Sequence, residues 1–182
     1  KKLLAVVLTG AMALTLLTAC GSNAVNDKNI ADALNDIVKS SVAAGLTKDY
    51  TFKPRTDEQA MAKAIAALSE AEWNTKGDGN NKFSGPVMKI LGLNEGGKNE
   101  TSRFVWCGAV IADEIGTAGQ AYHAMNTILN QNAANAVQGK KLADIRHIGT
   151  ALGTLTIHGK QTTVRFIVVT ADAEDPQHPG KA

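Results

Sequence analysis

The sequence predicts an α+β fold, a mostly helical single domain with a C-terminal antiparallel β-hairpin packed on the helices. Two observations predict it. Over most of the chain the apolar residues recur with the 3.6-residue period of a helix, whereas from Ile145 onward they alternate with polar residues, as in a half-buried strand. Because a β-hairpin alone is only marginally stable, its apolar face must pack against the helices that precede it.

The first two helices are predicted by start signals followed by apolar stripes. Asp27 is placed to cap the first helix, because a carboxylate can accept hydrogen bonds from free N–H groups at a helix start. Thr56 begins the second helix, and the acidic residues that follow it suit the positive end of a helix dipole. The apolar stripes are Ile30, Leu34, Ile37 and Val38 in the first helix, and Met61, Ile65, Leu68 and Trp73 in the second.

Three further helical segments are predicted before the hairpin. A short one follows Pro86, a favourable residue in a first helical turn. A central helix begins at Thr101 or Ser102, and we expect it to be buried because it is apolar on more than one face. A last helical stretch covers residues 120–137. The apolar residues of the central helix are Phe104, Val105, Cys107, Val110, Ile111 and Ile115.

The hairpin is the best-defined β element of the sequence. Its two strands alternate apolar and polar residues on either side of a short polar stretch that contains Gly159. A glycine at the first central position of a two-residue loop predicts a type II′ turn. A shorter extended piece, residues 50–54, separates the first two helices and supplies a possible third strand.

The first twenty residues resemble the signal of a bacterial lipoprotein. Two lysines precede an uncharged run of 17 residues, Leu3 to Ala19, which ends in Leu17-Thr18-Ala19-Cys20. This order matches a secretory signal with a lipobox, in which cleavage occurs before the cysteine. A membrane-spanning helix needs about 20 apolar residues. Because this run is shorter, it favours a cleaved signal over an uncleaved anchor. The resemblance implies a signal peptide (1–19) and an acylated Cys20. Composition and pattern then predict a short tether that completes the segment 20–27, a globular domain (28–170) and an irregular tail (171–182).

The resemblance implies that a lipid on Cys20, such as palmitate, anchors the protein to a membrane of the cell envelope. Two or more acyl chains hold a protein stably at a membrane surface. Gly21 rather than Asp follows the cysteine. By similarity to enterobacterial sorting, this favours the periplasmic face of the outer membrane where two membranes are present.

Composition excludes several functions for the mature chain. Without residues 1–19 it carries 17 basic and 17 acidic residues, so no excess of positive charge favours nucleic acid as a partner. Its histidines show no spacing typical of a metal site, and no phosphate-binding or dinucleotide-binding motif occurs, so we expect neither a metal nor a cofactor. With Cys20 acylated, Cys107 has no cysteine to pair with.

Cys107 is the sharpest candidate for chemistry. A cysteine early in a buried helix, followed by a histidine at the start of the β region, resembles the order in NlpC-type and CHAP-type cysteine peptidases. The resemblance implies Cys107 as nucleophile and His147 as base, with His158 as a second candidate base. The residues around Cys107 depart from the motifs of those peptidases, and no polar third member follows His147. The alternative interpretation is a buried cysteine that only packs.

The sequence therefore predicts a membrane-anchored envelope lipoprotein that acts by binding another envelope protein and is not an enzyme. It would serve as an accessory subunit of a complex, or as an immunity or exclusion factor. The alternative is a cell-wall-directed cysteine hydrolase with Cys107 and His147. A third possibility is self-association through the small residues of the central helix and its surroundings.

Overall fold

The computed structural model describes residues 26–73, 83–93, 103–113, 115–134 and 139–174, and it confirms the α+β class. The predicted signal peptide and Cys20 lie outside these residues. Within them no helix combines the length and the apolarity that a membrane span requires. The elements are α1 (26–43), β1 (Thr51–Pro54), α2 (Thr56–Ala66), α3 (Glu70–Trp73), α4 (Gly85–Ile90), β2 (Arg103–Ile111), α5 (Thr117–Ala124), β3 (Lys141–Ile157) and β4 (Lys160–Glu174).

One four-stranded mixed sheet has the order β1-β3-β4-β2. The short strand β1 runs parallel to β3, and the other two neighbouring pairs are antiparallel. The predicted hairpin is present as β3 and β4, but its strands have 17 and 15 residues and form the centre of the sheet. The prediction of a mostly helical domain is therefore only partly confirmed.

The hairpin turn differs from the predicted type II′. The loop consists of His158 and Gly159, both with positive φ values, 50° and 78°. Two successive residues with positive φ are typical of a type I′ turn, whose twist also matches a right-twisted hairpin. Glycine thus occupies the second central position, where it adopts the left-handed conformation without steric cost.

The predicted central helix is wrong, because residues 103–111 form the strand β2. This segment is apolar at nearly every position because helices cover both faces of the sheet. A strand buried on both faces carries an almost continuous apolar run and not the alternation of a half-exposed strand. Such a run cannot be distinguished from a buried helix by its period alone.

Two separate cores fill the space between the sheet and its helices. On one face α1 and α5 pack over residues such as Trp106, Ile148 and Ile167. On the other face α2 and α4 pack over Val105 and Phe166 among others. Adjacent residues of each strand therefore belong to different cores, as the two-residue repeat of a strand requires.

Helix α2 lies unusually close to the sheet at Gly149. A Cβ atom at this position would lie 2.0 Å from the backbone nitrogen of Gln59 in α2. Only glycine permits this approach, which brings the first turn of α2 onto the middle of β3. Glu58 of that turn is thereby buried against the sheet, whereas Thr56 and Asp57 remain exposed.

Three predicted boundaries need correction. Residue 26, the first described residue, is already helical, so Asp27 belongs to the domain and not to the tether. Its buried carboxylate accepts hydrogen bonds from Thr150 in β3 instead of capping the helix. Strand β4 extends to Glu174, four residues into the predicted tail. The predicted helix 120–137 is shorter, because α5 continues only through a π-helical turn that ends at Leu129.

Candidate functional site

The structure does not bring Cys107 and His147 together. Cys107 in β2 pairs with Val168 of β4, whereas His147 in β3 pairs with Thr170 of the same strand. The two residues are thus separated by the whole of β4. Strands β2 and β3 therefore lie about 10 Å apart, or two strand spacings. A hydrogen bond between a nucleophile and its base requires a distance of about 3 Å. The predicted Cys107–His147 pair is therefore wrong.

The Cys107 thiol is also unsuited to act as a nucleophile. It lies on a strand, so no helix N-terminus stabilises its thiolate, contrary to the prediction. The residue is half-buried and packs against an apolar core, and this burial raises the thiol pKa to about 12. Because the thiolate is the reactive form, a raised pKa leaves the thiol inert at neutral pH.

The two other described histidines belong neither to a pair with Cys107 nor to a metal-binding group. His158 lies in the turn of the hairpin and His123 is exposed on α5, while His178 is outside the described residues. The His147 pKa is lowered by burial and by the nearby cation of Arg55. In the part of the chain that the structure describes, no three His, Cys, Asp or Glu side chains are grouped in a way that could hold a metal ion.

The geometry draws attention instead to the free edge of β2. Ala112 N–H donates to the carbonyl of Thr163, which fixes the alternation of hydrogen bonds between β2 and β4. Even-numbered residues of β2 therefore bond to β4, and odd-numbered residues direct their N–H and C=O groups away from the sheet. Val105, Cys107 and Ala109 thus present backbone groups at this edge.

One point of this edge is covered by the segment 130–134. The Ala134 N–H donates to the carbonyl of Val105 at 2.8 Å, and the Trp106 indole N–H donates to the carbonyl of Gln131 at 2.9 Å. Beyond this point the edge is open. Among the described residues, none pairs with the outward backbone groups of Cys107 or Ala109.

A groove of about 410 Å³ follows the open part of the edge. Its floor is β2 itself, from Val105 to Ala109. Trp73 and Phe83 form a wall on one face of the sheet, and Thr127 and Ile128 form a wall on the other. The groove is therefore a slot in the plane of the sheet, bounded above and below by side chains.

The β2 edge lacks the features that usually protect an edge strand. Natural edges are shortened, or carry Lys, Pro or bulges that prevent pairing with another chain. Between Arg103 and Asp113 the sequence contains no charged residue and no proline. An uncharged stretch without proline is the sequence signal of an unprotected edge strand. It was missed because residues 103–111 were predicted to form a helix.

The comparisons with known proteins find no match for this chain, whether with protein-family models, with curated proteins or with solved structures.

Proposed function

We propose that this protein is a lipid-anchored envelope protein that binds a partner protein by accepting an extended segment of it at the β2 edge. The observation that carries this proposal is that no described residue pairs with the outward backbone groups of Cys107 and Ala109 at the floor of the groove. An extended segment added there would satisfy these groups and continue the sheet as a fifth strand. Strand addition of this kind is a common mode of peptide recognition.

The dimensions of the groove suit a short strand. From Cys107 to Ile111 the edge offers three outward-directed residues over about 14 Å, which pair with roughly five residues of an added strand. The flanking apolar walls would receive alternate side chains of that strand. We expect small or apolar side chains toward Trp73 and Ile128, because both walls are largely apolar.

A segment of a partner fits this groove better than a second copy of the same edge. Residues on both faces of the sheet line the groove, and a second copy would bring the same covering residues with its own edge, so we expect the two copies to collide before their backbones could pair. A single strand that is free of flanking layers meets no such obstacle. The proposed occupant is therefore an extended, flexible segment of another envelope protein.

The anchor places this site near a membrane. Only five residues lie between Cys20 and the first described residue, 26, and a segment of that length reaches about 20 Å at most. The partner would thus be a membrane-associated or periplasmic protein, as for an accessory subunit or an immunity factor. The cysteine hydrolase alternative is not supported, since Cys107 lies apart from His147 and its thiol pKa is raised.

Ala109→Pro tests the proposal by removing one outward N–H. The Ala109 N–H does not bond to β4, so proline at this edge position leaves the β2–β4 ladder intact. Ala109→Ser is the matched control, because it changes the side chain and keeps the donor. Proteins crosslinked to each form in native cells would be quantified. We expect at least a tenfold loss of the crosslinked partner with Ala109→Pro and no loss with Ala109→Ser.

Equal crosslinking by the two variants would exclude the β2 edge as the binding site. Two further variants separate the remaining elements of the proposal. Cys107→Ser should retain the partner and any cellular function, whereas a hydrolase would lose its activity. Cys20→Ser should release the protein from the membrane fraction, and its retention there would contradict the lipid anchor.

A further inference from the structure

A second cavity lies on the other side of the Trp106 indole and contains an arginine. It has a volume of about 370 Å³, within the range of small-molecule sites. Its walls are largely apolar and include Phe104, Trp106, Leu129 and Leu142, and Arg146 is the one cation among its described lining residues. The Phe104 and Trp106 rings are stacked with centroids 6.5 Å apart, which gives the cavity a continuous aromatic wall.

Arg146 is held in place by aromatic rings. Its guanidinium carbon lies 3.6 Å from the centre of the Tyr50 ring and 5.4 Å from the centre of the Trp106 ring. The Tyr50 hydroxyl in turn contacts the sulfur of Met125 at 3.9 Å. A register shift in β3 between Leu142 and Arg146 directs this part of the strand toward the cavity, as bulges commonly do.

Asp144 lies near enough to favour the charged form of Arg146, but among the described residues no carboxylate reaches the guanidinium to form an ion pair. The buried Nε of Arg146 has no hydrogen-bond partner in the part of the chain that the structure describes. The Arg146 side chain is part-buried, and contacts with aromatic faces recover part of the cost of removing its charge from water, but they do not satisfy the buried Nε–H. Buried charges in proteins are normally paired and hydrogen-bonded.

We propose that this cavity binds a carboxylate that carries an apolar group, with the carboxylate paired to Arg146 and the apolar group against Trp106 and Phe104. The planar guanidinium matches a carboxylate in a bidentate arrangement. A monoanion is favoured over a phosphate dianion because a single cation lines the cavity and the remaining walls are mostly apolar. Such a ligand is either a small carboxylic acid or the free C-terminus of a peptide with an apolar last residue.

Tryptophan fluorescence provides a direct test, because the protein has only two tryptophans. In a Trp73→Phe background, Trp106 in the cavity wall becomes the sole tryptophan and can be excited selectively over the two tyrosines. Four probes would be titrated: 3-phenylpropionate, its neutral amide, a tripeptide that ends in phenylalanine with a free carboxylate, and the same peptide amidated. We expect a saturable change with at least one acid and at least tenfold weaker binding of its amide. Preference for the small acid or for the peptide identifies the source of the ligand.

Two arginine variants connect the binding to Arg146. Arg146→Gln should abolish saturation, whereas Arg103→Gln removes the same charge on the opposite face of the sheet and should leave binding unchanged. If Arg146→Gln does not fold, Arg146→Lys, which keeps the charge without the planar fork, should weaken binding of the acid. Equal binding of acid and amide, an unaffected Arg146 variant, or no saturation with any probe would overturn the proposal. The test uses neither Ala109 nor Cys20 and is independent of the proposed strand addition.

Discussion

The two edges of the sheet differ in whether the outward backbone groups of the edge strand have hydrogen-bond partners. We use this difference to propose where a partner binds. At the β1 edge, the Asn35 side chain in α1 accepts a hydrogen bond from the Phe52 N–H at 2.7 Å and donates one to the Phe52 carbonyl at 3.1 Å. The Asn35 side-chain amide thus makes the two hydrogen bonds that a neighbouring strand would make to Phe52. At the β2 edge, the Ala134 N–H bonds to one carbonyl, and no other described residue pairs with the outward groups that follow it.

The β1 edge is protected in other respects too. It has only four residues, of which Lys53 is exposed and Pro54 ends the strand. Short length, a lysine and a proline are the usual means by which a protein prevents pairing at an edge. Strand β2 has nine residues and none of these features between its ends. The same chain therefore closes one edge in several ways and leaves the other available.

The largest effect we predict concerns the reactivity of Cys107 in the open edge. Burial raises its thiol pKa to about 12, whereas an exposed cysteine titrates near 8.5. At pH 8 we expect alkylation by iodoacetamide to be about a thousandfold slower than for a model thiol. The rate should rise about tenfold for each pH unit up to pH 10. A plateau near pH 9 would show that the thiol is solvated and that the groove is wider than described.

A pair of proline substitutions tests which backbone groups of β2 are free. Val110→Pro removes an N–H that bonds to β4 and should cost at least about 3 kcal/mol of the free energy of unfolding. Ala109→Pro removes an outward N–H and should cost much less. Urea unfolding of the two variants measures the difference. Equal destabilisation would mean that the assigned alternation of hydrogen bonds is wrong.

The sequence correctly predicted the elements whose start signals and apolar period lie within the element itself. Helix α2 begins at Thr56 as expected, and its residue Ile65 is fully buried. The hairpin was found because both strands alternate near its turn. Strand β2 was not found, because its continuous apolar pattern arises from helices on both faces of the sheet, which is information that only the tertiary structure contains.

The sites were harder to predict than the fold. Cys107 was singled out correctly as a residue of interest, but for a nucleophilic role that its strand position and its raised pKa contradict. The open edge depends on sheet order, and the Arg146 cavity depends on residues from distant parts of the chain. The uncharged stretch between Arg103 and Asp113 indicates an open edge only once the segment is known to be an edge strand, and the Arg146 cavity leaves no spacing that a sequence motif could reveal.

Asn35→Ala should open the protected edge. It would leave the half-buried N–H and C=O groups of Phe52 without partners, and we expect a loss of about 2–3 kcal/mol in the free energy of unfolding. Asp36→Ala on the exposed face of α1 is the control and should change stability by less than about 0.5 kcal/mol. Denaturant unfolding of both variants measures this contrast. A cost for Asn35→Ala as small as the control would show that water replaces the amide and that the β1 edge is not closed.

The smallest predicted effect concerns the cluster of Arg55, Glu58 and Thr170 at the end of β1, which we call the polar clamp. Glu58 is fully buried and accepts hydrogen bonds from Arg55 at 2.7 Å and from Thr170 at 2.7 Å. Burial alone would raise the Glu58 pKa, but these bonds and the Arg55 charge outweigh it and hold the pKa below its usual value of 4.5. A lowered folded-state pKa gives stability that is present above about pH 4.5 and is lost as the pH falls through the folded-state pKa.

Glu58→Gln should therefore be less stable than the wild type by about 1–2 kcal/mol at pH 7, with a smaller difference at pH 3. Asp27→Asn provides the comparison with the opposite sign. Burial raises the Asp27 pKa above 3.8, so its contribution is present below about pH 3.8 and is lost as the pH rises. Urea unfolding at pH 3, 5 and 7 measures both trends. A Glu58→Gln deficit that does not change with pH would show that the clamp acts through its shape and hydrogen bonds and not through its charge.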